Sequence, residues 1–314
     1  MSSVPRTAVD VASAPVTAVV PTHRRPELMR AAVQSILSQD YAGPIEVVVV
    51  FDACEAELPD VELAADRTLR AVVNERTRGL AGARNAGILA ASHDFVAFLD
   101  DDDVWLPGKL AAQMPLFEAH PQARLVGTAS RFDDGRRGHD RLAPSDLITH
   151  GDLVEDRITA LHSSSFVFRR AALVGEIGLI DEELPRGYGE DTDVLLRASA
   201  VADIPLVNRP LVSVRWQGQS YFLGQWAQYA QALTYLLAKH PDIEQSPAAA
   251  ARLRSQIAFG LVSSDQRREG REVARQVLRV QPTNLRAWLA LAIGLRLATP
   301  HFVQAAARRL GKGI

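Results

Sequence analysis

Four consecutive aspartates, Asp100 to Asp103, directly follow the apolar segment Phe95–Leu99. The segment FVAFL predicts a strand, so the carboxylates stand at a strand end. Four adjacent carboxylates repel one another unless a cation neutralises them. Mg²⁺ and Mn²⁺ prefer oxygen ligands and share them readily with phosphates. The run therefore favours a metal–diphosphate site over the alternative of a solvated acidic turn at a helix start.

Apolar strand-like segments alternate with helix-like segments over the first ~120 residues, which predicts an α/β fold with a mostly parallel sheet and crossover helices. IEVVVVF is apolar without alternation, as expected of a strand buried on both faces. Residues 131–158 are polar and predict a mobile loop or lid. The predicted strands are 16–20, 45–51, 71–73 and 95–99, and the helices between them are 26–38 and 80–91.

The pattern changes near residue 221, after which Ala, Leu and Arg recur at helical spacing and no strand is predicted. We therefore expect a flexible N-terminus over 1–15, a catalytic domain over 16–225 and an all-α region over 226–314. Residues 256–296 resemble a single tetratricopeptide-like helical hairpin. Its many arginines suggest peripheral membrane contact or homodimer formation, beside the simpler reading that the tail packs on the catalytic domain.

The bulk properties exclude several classes. A formal net charge of −2 gives no reason to expect a nucleic-acid partner, and a single cysteine, Cys54, excludes an internal disulfide framework. No apolar run approaches the ~20 residues needed to span a bilayer, and the N-terminus lacks the apolar core of a signal peptide. We expect a cytoplasmic protein, with a peripheral position at the inner membrane face through the helical tail as the variant of that expectation.

Two further polar clusters follow predicted strands in the same way as the aspartate run. Pro21 and Thr22 follow the first strand, and Asp52 follows the second. In an open parallel sheet, ligands bind outside the carboxyl ends of the strands. Because the clusters stand on neighbouring strands, they predict one shared, acidic site.

The segments that carry these clusters resemble the family 2 glycosyltransferases of the GT-A fold. The similar stretches are VVPTHRRPELMRAAVQSILSQDY, EVVVVFDA, RGLAGARNAGILAASHDFVAFLDDDDVWLP and IGLIDEELPRGYGEDTDVLLRASA, which occur in the family's order over roughly residues 16–220. The resemblance implies a Rossmann-like sheet flanked by helices and an enzyme that uses a nucleotide sugar. It does not identify the sugar.

The resemblance also implies roles for single residues. Asp52 would accept the N3–H of a uracil or thymine base, although the family usually has two carboxylates where this chain has Phe51 and Asp52. Asp102 would bind Mn²⁺ or Mg²⁺ directly, with Asp100 near the metal or ribose. The implied nucleotide-binding residues are Pro21, Thr22, Arg24, Asp52, Arg78, Gly79, Arg84, Asn85, Asp100 and Asp101.

An inverting transfer needs a base that removes the proton of the acceptor hydroxyl. The pair Glu190–Asp191 matches the family's acidic pair at a helix start, and Asp191 is the preferred base, with Glu190 second. The alternative is that Asp191 or Asp193 caps the following helix.

The sequence thus predicts sugar transfer from a nucleoside-diphosphate sugar, with UDP the expected nucleotide, to a hydroxyl of a glycan, a lipid-linked saccharide or a natural product. A sugar nucleotidyltransferase is the second enzyme class, but it needs a Gly-rich phosphate loop after the first strand, where this chain has PTHRRP. The third alternative is a non-catalytic nucleotide-sugar-binding scaffold that acts through its helical tail.

Overall fold

The computed structural model describes residues 10–135, 138–216 and 224–303, and these form two compact units. The first unit contains residues 10–153, 158–182 and 194–216. The second contains residues 224–303 together with two short earlier segments, 154–157 and 183–193. The expected domain limits of 16–225 and 226–314 therefore stay a proposal. Most of the predicted flexible N-terminus, residues 1–9, lies outside the described residues.

A ten-stranded sheet forms the first unit. The strands are β1 (Val16–Thr22), β2 (Ile45–Phe51), β3 (Arg67–Val73), β4 (Phe95–Phe98), β5 (Val104–Trp105), β6 (Leu125–Asp133), β7 (Gly138–Arg141), β8 (Leu147–Ile148), β9 (Val167–Arg169) and β10 (Ile204–Arg215). Their order from one edge of the sheet to the other is β3-β2-β1-β4-β9-β6-β10-β5, with β7 paired to β6 and β8 paired to β10.

Strands β3, β2, β1 and β4 are parallel, and so are β6 and β10. Strand β9 is antiparallel to both of its neighbours, β4 and β6, and β5 is antiparallel to β10. The predicted fold class, a mostly parallel sheet flanked by helices with a helical C-terminal region, is confirmed.

The helices of the described residues complete both units. They are α1 (Pro26–Leu37), α2 (Leu80–Ala90), α3 (Lys109–Ala119), α4 (His150–Glu155), α5 (Arg170–Val174), α6 (Glu190–Val201), α7 (Trp226–Lys239), α8 (Asp242–Gln245), α9 (Pro247–Ser263), α10 (Arg267–Val280) and α11 (Leu285–Gly294). Pro26 and Pro247 stand at first helical positions, where a missing N–H costs nothing. None of the described helices is both long and apolar enough to cross a bilayer.

Helices cover both faces of the central strands. All residues of β1 and β2 are buried, as the non-alternating sequence predicts. On one face, Met29 and Val33 of α1 pack with Val47 and Val49 of β2. On the other face α2 approaches so closely that a side chain at Gly87 would collide with Val19 and Val50. This close packing fixes the height of α2 above the strand ends.

The prediction of a loop over 131–158 is wrong. Strands β6 and β7 form a hairpin there, followed by β8 and α4. Arg131 and Asp140 form an ion pair across the hairpin, at 2.7 Å, and the Arg141 guanidinium lies 4.0 Å from the centroid of the Phe132 ring. These cross-strand pairs stabilise an exposed, polar hairpin. Because the exposed part of the hairpin has no apolar alternation, the residue pattern did not predict strands there.

The second unit has its own helical core. Helices α9, α10 and α11 bury small and aliphatic side chains against one another, among them Ala258, Val262, Ala274 and Ala290. Gly270 lets α10 approach α9, since an added side chain would meet Val262 at 2.6 Å. The predicted helical character of this region is confirmed.

Candidate active site

The strand ends that the sequence singled out meet at one edge of the sheet, because β2, β1 and β4 are neighbours. The hydroxyl of Thr22, at the end of β1, donates to Asp101 Oδ2 at 2.8 Å. The backbone N–H of Asp52, after β2, donates to the Thr22 carbonyl at 3.0 Å. The structure therefore places Thr22, Asp52 and the aspartate run in one site, as predicted from parallel strand order.

Arginine side chains and hydroxyl groups of the first unit hold the aspartate run in place. One Arg25 nitrogen, Nη1, donates to both Asp101 and Asp102, at 3.1 and 3.0 Å. Asp100 pairs with the buried Arg84 and accepts from the Ser163 hydroxyl. The run is thus divided, with Asp101 and Asp102 on the side of Arg25 and Asp100 on the side of Arg84.

Asp103 is the most buried member of the run. Its carboxylate accepts from the Ser164 hydroxyl at 2.6 Å and from the Arg215 backbone N–H at 3.1 Å. Burial raises the pKa of Asp103 well above its ordinary value, and the neighbouring charge of Asp100 raises it further. Burial also raises the pKa of Asp102, with Asp100 and Asp101 adding to it. The run therefore holds more carboxylates than its arginines neutralise.

A divalent cation fits this excess of negative charge. Asp100, Asp103 and His162 each offer a ligand atom, and these atoms lie within 4.8 Å of one another. Carboxylate oxygens with an imidazole nitrogen form a donor set that Mn²⁺ accepts. Asp102, the predicted direct ligand, is outside this group and faces Arg25, so its role stays a prediction. No motif around His162 in the sequence indicated a metal ligand.

Asp52 organises the loop beside the site. Its two carboxylate oxygens accept from the Asn74 side chain at 2.7 Å and from the Gly79 backbone N–H at 2.9 Å. Gly79 has φ of +118°, which is accessible to glycine and strained for other residues. Asp52 therefore fixes the loop from residue 74 to the start of α2, where the exposed Arg78 lies. Its predicted contact with a base stays a prediction.

Arg84 and Asn85 are buried residues in the middle of α2. Arg84 donates to Ser163 at 2.9 Å and covers the Phe98 ring at 5.5 Å. The Asn85 side chain exchanges hydrogen bonds with the backbone of Ile180, at 2.8 and 2.9 Å. Arg84 thus holds Asp100 in place and Asn85 ties α2 to Ile180, and their nucleotide contacts stay a prediction.

Glu182 is a residue of this region that the sequence did not indicate. Its carboxylate accepts from Asn85 at 2.7 Å, from Arg76 at 2.6 Å and from the Thr77 backbone N–H at 3.3 Å. Burial alone would raise the pKa of Glu182, but these hydrogen bonds outweigh burial and lower it to about 2. Glu182 ties the 74–79 loop to α2 from a distant part of the chain, which explains why no local motif reveals it.

At the end of β1 the structure separates two adjacent arginines. Pro21 is buried within the strand, and Arg24 is exposed with φ of +54°. That left-handed turn directs the neighbouring Arg25, and not Arg24, onto the aspartate run. The family resemblance implied Arg24 as the nucleotide-binding arginine, because two adjacent arginines in a sequence do not show which of them turns inward.

The predicted base, Asp191, belongs to the second unit, and so does its partner Arg157. Asp191 Oδ2 accepts from Arg157 Nη2 at 2.8 Å, and Asp191 Oδ1 accepts from the Thr192 backbone N–H at 2.8 Å. The Asp191 charge raises the pKa of Arg157. Glu190, beside Asp191, is buried.

Asp193 anchors the same helix start. It is fully buried, and it pairs with Lys239 Nζ at 2.8 Å and His240 Nε2 at 2.9 Å, both at the end of α7. Of the three acidic residues in the first turn of α6, Asp193 therefore has a structural role, and Asp191 is the one whose partner is a half-exposed arginine.

Comparison with known proteins gives a family match and several similar proteins. A family model described as "Glycosyl transferase family 2" matches residues 17–176. The amylovoran biosynthesis glycosyltransferase AmsE of Erwinia amylovora is 33% identical over 198 residues, which cover 61% of this chain and 71% of AmsE. The Escherichia coli protein WfgD, named UDP-Glc:alpha-D-GlcNAc-diphosphoundecaprenol beta-1,3-glucosyltransferase, is 33% identical over 101 residues, or 32% of this chain and 40% of WfgD.

The fold is also that of a solved structure. S. aureus TarS in complex with UDP-GlcNAc matches with a TM-score of 0.60 at 16% identity, over 95% of this chain and 92% of that one. At this identity the likeness concerns the fold, which is the GT-A fold predicted from the sequence. The match to WfgD spans 40% of the length of that protein.

Proposed function

The chain belongs to glycosyltransferase family 2, and from this premise we propose that it moves a sugar from a nucleoside-diphosphate sugar to a hydroxyl acceptor with inversion at the anomeric carbon. The observation that carries the proposal is the convergence of Thr22, Arg25 and the aspartate run at one edge of the sheet. The carboxylates of the run can bind the metal ion of a metal–diphosphate group, and the arginine beside them can bind a phosphate oxygen. Family membership favours this reading over nucleotidyl transfer or a scaffold.

Asp100, Asp103 and His162 offer the grouped ligand atoms that would hold Mn²⁺ or Mg²⁺, and Asp102 is the further ligand that we propose from the family resemblance. The cation would supply charge stabilisation for the departing nucleoside diphosphate. Arg25 lies where it can bind a phosphate oxygen once it is released from Asp102. Asp52 holds the loop that we expect to contact the base, and it is the candidate acceptor for the N3–H of uracil.

Asp191 is the proposed base, with Glu190 as the alternative. A base has to take up the proton of the acceptor hydroxyl, and the Asp191 carboxylate, which accepts from Arg157 Nη2 at 2.8 Å, is a group of that type. The acceptor oxygen would attack the anomeric carbon as its proton passes to the carboxylate. The sugar–phosphate bond breaks on the opposite face, which inverts the configuration.

The expected donor is a UDP-sugar, and the expected acceptor is a saccharide, most simply one linked to a lipid diphosphate. The names of two similar proteins support this choice, since WfgD is named for a UDP-Glc donor and a diphosphoundecaprenol-linked acceptor and AmsE for amylovoran biosynthesis. Sugar and linkage are left open by these names.

Thermal unfolding with a panel of nucleoside diphosphates tests the donor site. We expect one nucleotide, UDP first, to raise the Tm by several degrees in the presence of Mn²⁺, since ligand at a hundred times its Kd adds about 2.7 kcal/mol. Asp102→Ala should abolish the shift. Asp60→Ala, which removes an exposed carboxylate outside the site, is the matched control. A shift that needs no metal and survives Asp102→Ala would contradict the proposed metal–diphosphate site.

A further inference from the structure

Helix α11 of the second unit is apolar on two opposite sides. One side, with Ala287, Ala290 and Ile293, is buried against α9 and α10. The other side exposes Leu285 and Trp288, which are 64% and 54% accessible, and continues to Leu295 just past the helix end. We call these three exposed residues the α11 stripe.

The spacing of the α11 stripe places its members on one side of the helix. Residues three apart and seven apart lie over one another at 3.6 residues per turn, as Leu285, Trp288 and Leu295 do. A helix on the surface of a soluble domain normally has polar side chains there. Two more large apolar side chains are exposed close by in sequence, Leu297 at 78% and Phe302. Such a group of exposed apolar residues marks an interaction surface.

The charge of this part of the chain is one-sided. Residues 273–314 contain seven basic residues and no aspartate or glutamate, whereas the whole chain has a net charge of −2. Arg279 and Arg296 are exposed, and Arg286 directly follows Leu285. The α11 stripe therefore lies in a strongly basic segment, and the surface that covers it must tolerate or attract positive charge.

We propose that the α11 stripe docks on an anionic lipid surface. Leu285 and Trp288 would enter the boundary between headgroups and acyl chains, and the arginines would contact the anionic headgroups. A second copy of the chain fits less well, because a two-fold contact through this surface would bring the same basic segments together. The inference rests on the proposed function for its purpose, since a lipid-linked acceptor is found at a membrane.

Cosedimentation of the full chain with vesicles tests the proposal. We expect binding to vesicles that contain phosphatidylglycerol, little binding to pure phosphatidylcholine, and weaker binding as salt is raised. The double variants Leu285→Gln with Leu297→Gln, and Arg279→Gln with Arg296→Gln, should each lower the partition coefficient about tenfold or more. The matched control is Leu142→Gln, since Leu142 of the first unit is exposed to a similar degree and should not affect binding.

A second measurement does not depend on whether the double variants fold. In the unsubstituted chain, the emission of Trp288, identified by difference from Trp288→Phe, should shift to the blue on anionic vesicles and be quenched by brominated lipid. Equal binding to both lipids, or unchanged binding by both double variants, would overturn the proposal. So would self-association that Leu285→Gln abolishes in the absence of any vesicle binding, which would identify a second copy as the occupant.

The lipid surface and the chemistry can fail separately. Vesicle binding is measured without substrate, whereas sugar transfer is measured on a water-soluble acceptor. The two double variants should bind vesicles poorly and still transfer sugar to that acceptor. A chain that binds vesicles but transfers no sugar would contradict the proposed function and leave the lipid surface standing.

Discussion

At the scale of single residues, Glu46 shows how a buried charge is held in this sheet. It lies in β2 and is 5% exposed. Its carboxylate accepts from Thr17 at 2.6 Å, from Arg70 at 2.8 Å and from the Ser92 backbone and hydroxyl at 3.0 and 2.8 Å. Burial alone would raise the pKa of Glu46, but these donors outweigh burial and lower it to about 2 from an ordinary 4.5.

This lowered pKa predicts how stability depends on pH. The charged form is favoured in the folded state, so its contribution is complete above about pH 4.5 and is lost as the pH falls towards 2. Glu46→Gln should lower the free energy of unfolding by about 2–3 kcal/mol at pH 7. The difference from the unsubstituted protein should shrink between pH 4.5 and the lowest pH at which the protein is folded.

Urea unfolding at several pH values measures this difference. Glu62→Gln, which changes an exposed carboxylate of the first unit, is the control and should have little effect at any pH. A destabilisation by Glu46→Gln that is the same at pH 7 and pH 3 would show that packing, and not the charge, is responsible.

Residue roles were predictable where a strand end carries a motif, and not where distant segments supply the contact. Thr22 and the aspartate run follow strands that the sequence shows, so their meeting could be predicted. Glu182 and His162 reach the site from far along the chain, and only the folded chain brings them there. The inward turn of Arg25 depends on a left-handed residue before it, which sequence spacing does not reveal.

At the scale of elements, the position of α2 depends on Gly87. A Cβ at this residue would stand 2.2 Å from Val19 Cγ1 and 3.1 Å from Val50 Cγ2, both in the buried central strands. Gly87→Ala should therefore push α2 away from the sheet and destabilise the protein by about 1–3 kcal/mol. Because α2 carries Arg84 and Asn85, we expect nucleotide binding to weaken as well.

Thermal unfolding with and without UDP and Mn²⁺ checks both effects. Gly151→Ala is the matched control, since Gly151 lies in α4 and an added side chain there has only Thr149 Oγ1 near it, at 3.7 Å. It should be neutral or slightly stabilising, because alanine is the better helix former. A Gly87→Ala protein as stable as the Gly151→Ala protein would contradict the close contact of α2 with the strands.

Elements were predictable to the extent that burial shapes their sequence. The central strands have an apolar residue at nearly every position because helices cover both faces. The β6–β7 hairpin is exposed and is stabilised by polar pairs between strands, such as Arg131 with Asp140. Such pairs leave no period in the sequence, so a loop was predicted in its place.

At the scale of the whole molecule, the chain forms two compact units. One contains the mostly parallel sheet, and the other contains a helical core. The change in sequence pattern near residue 221 predicted the helical part. It did not predict that residues 154–157 and 183–193, with the proposed base Asp191, also belong to the second unit. The unit to which a short segment belongs depends on long-range packing, and local composition does not reveal that packing.

Release of nucleoside diphosphate from a UDP-sugar, in the presence of a saccharide acceptor, tests the central claim most directly. We predict release that needs Mn²⁺ or Mg²⁺ and stops on chelation, and that falls by about 10²–10⁴-fold in Asp191→Asn. Asp102→Ala should lose it as well, and Asp60→Ala should retain it. Release from no donor, or equal release from Asp102→Ala, Asp191→Asn and the unsubstituted chain, would contradict sugar transfer at this site.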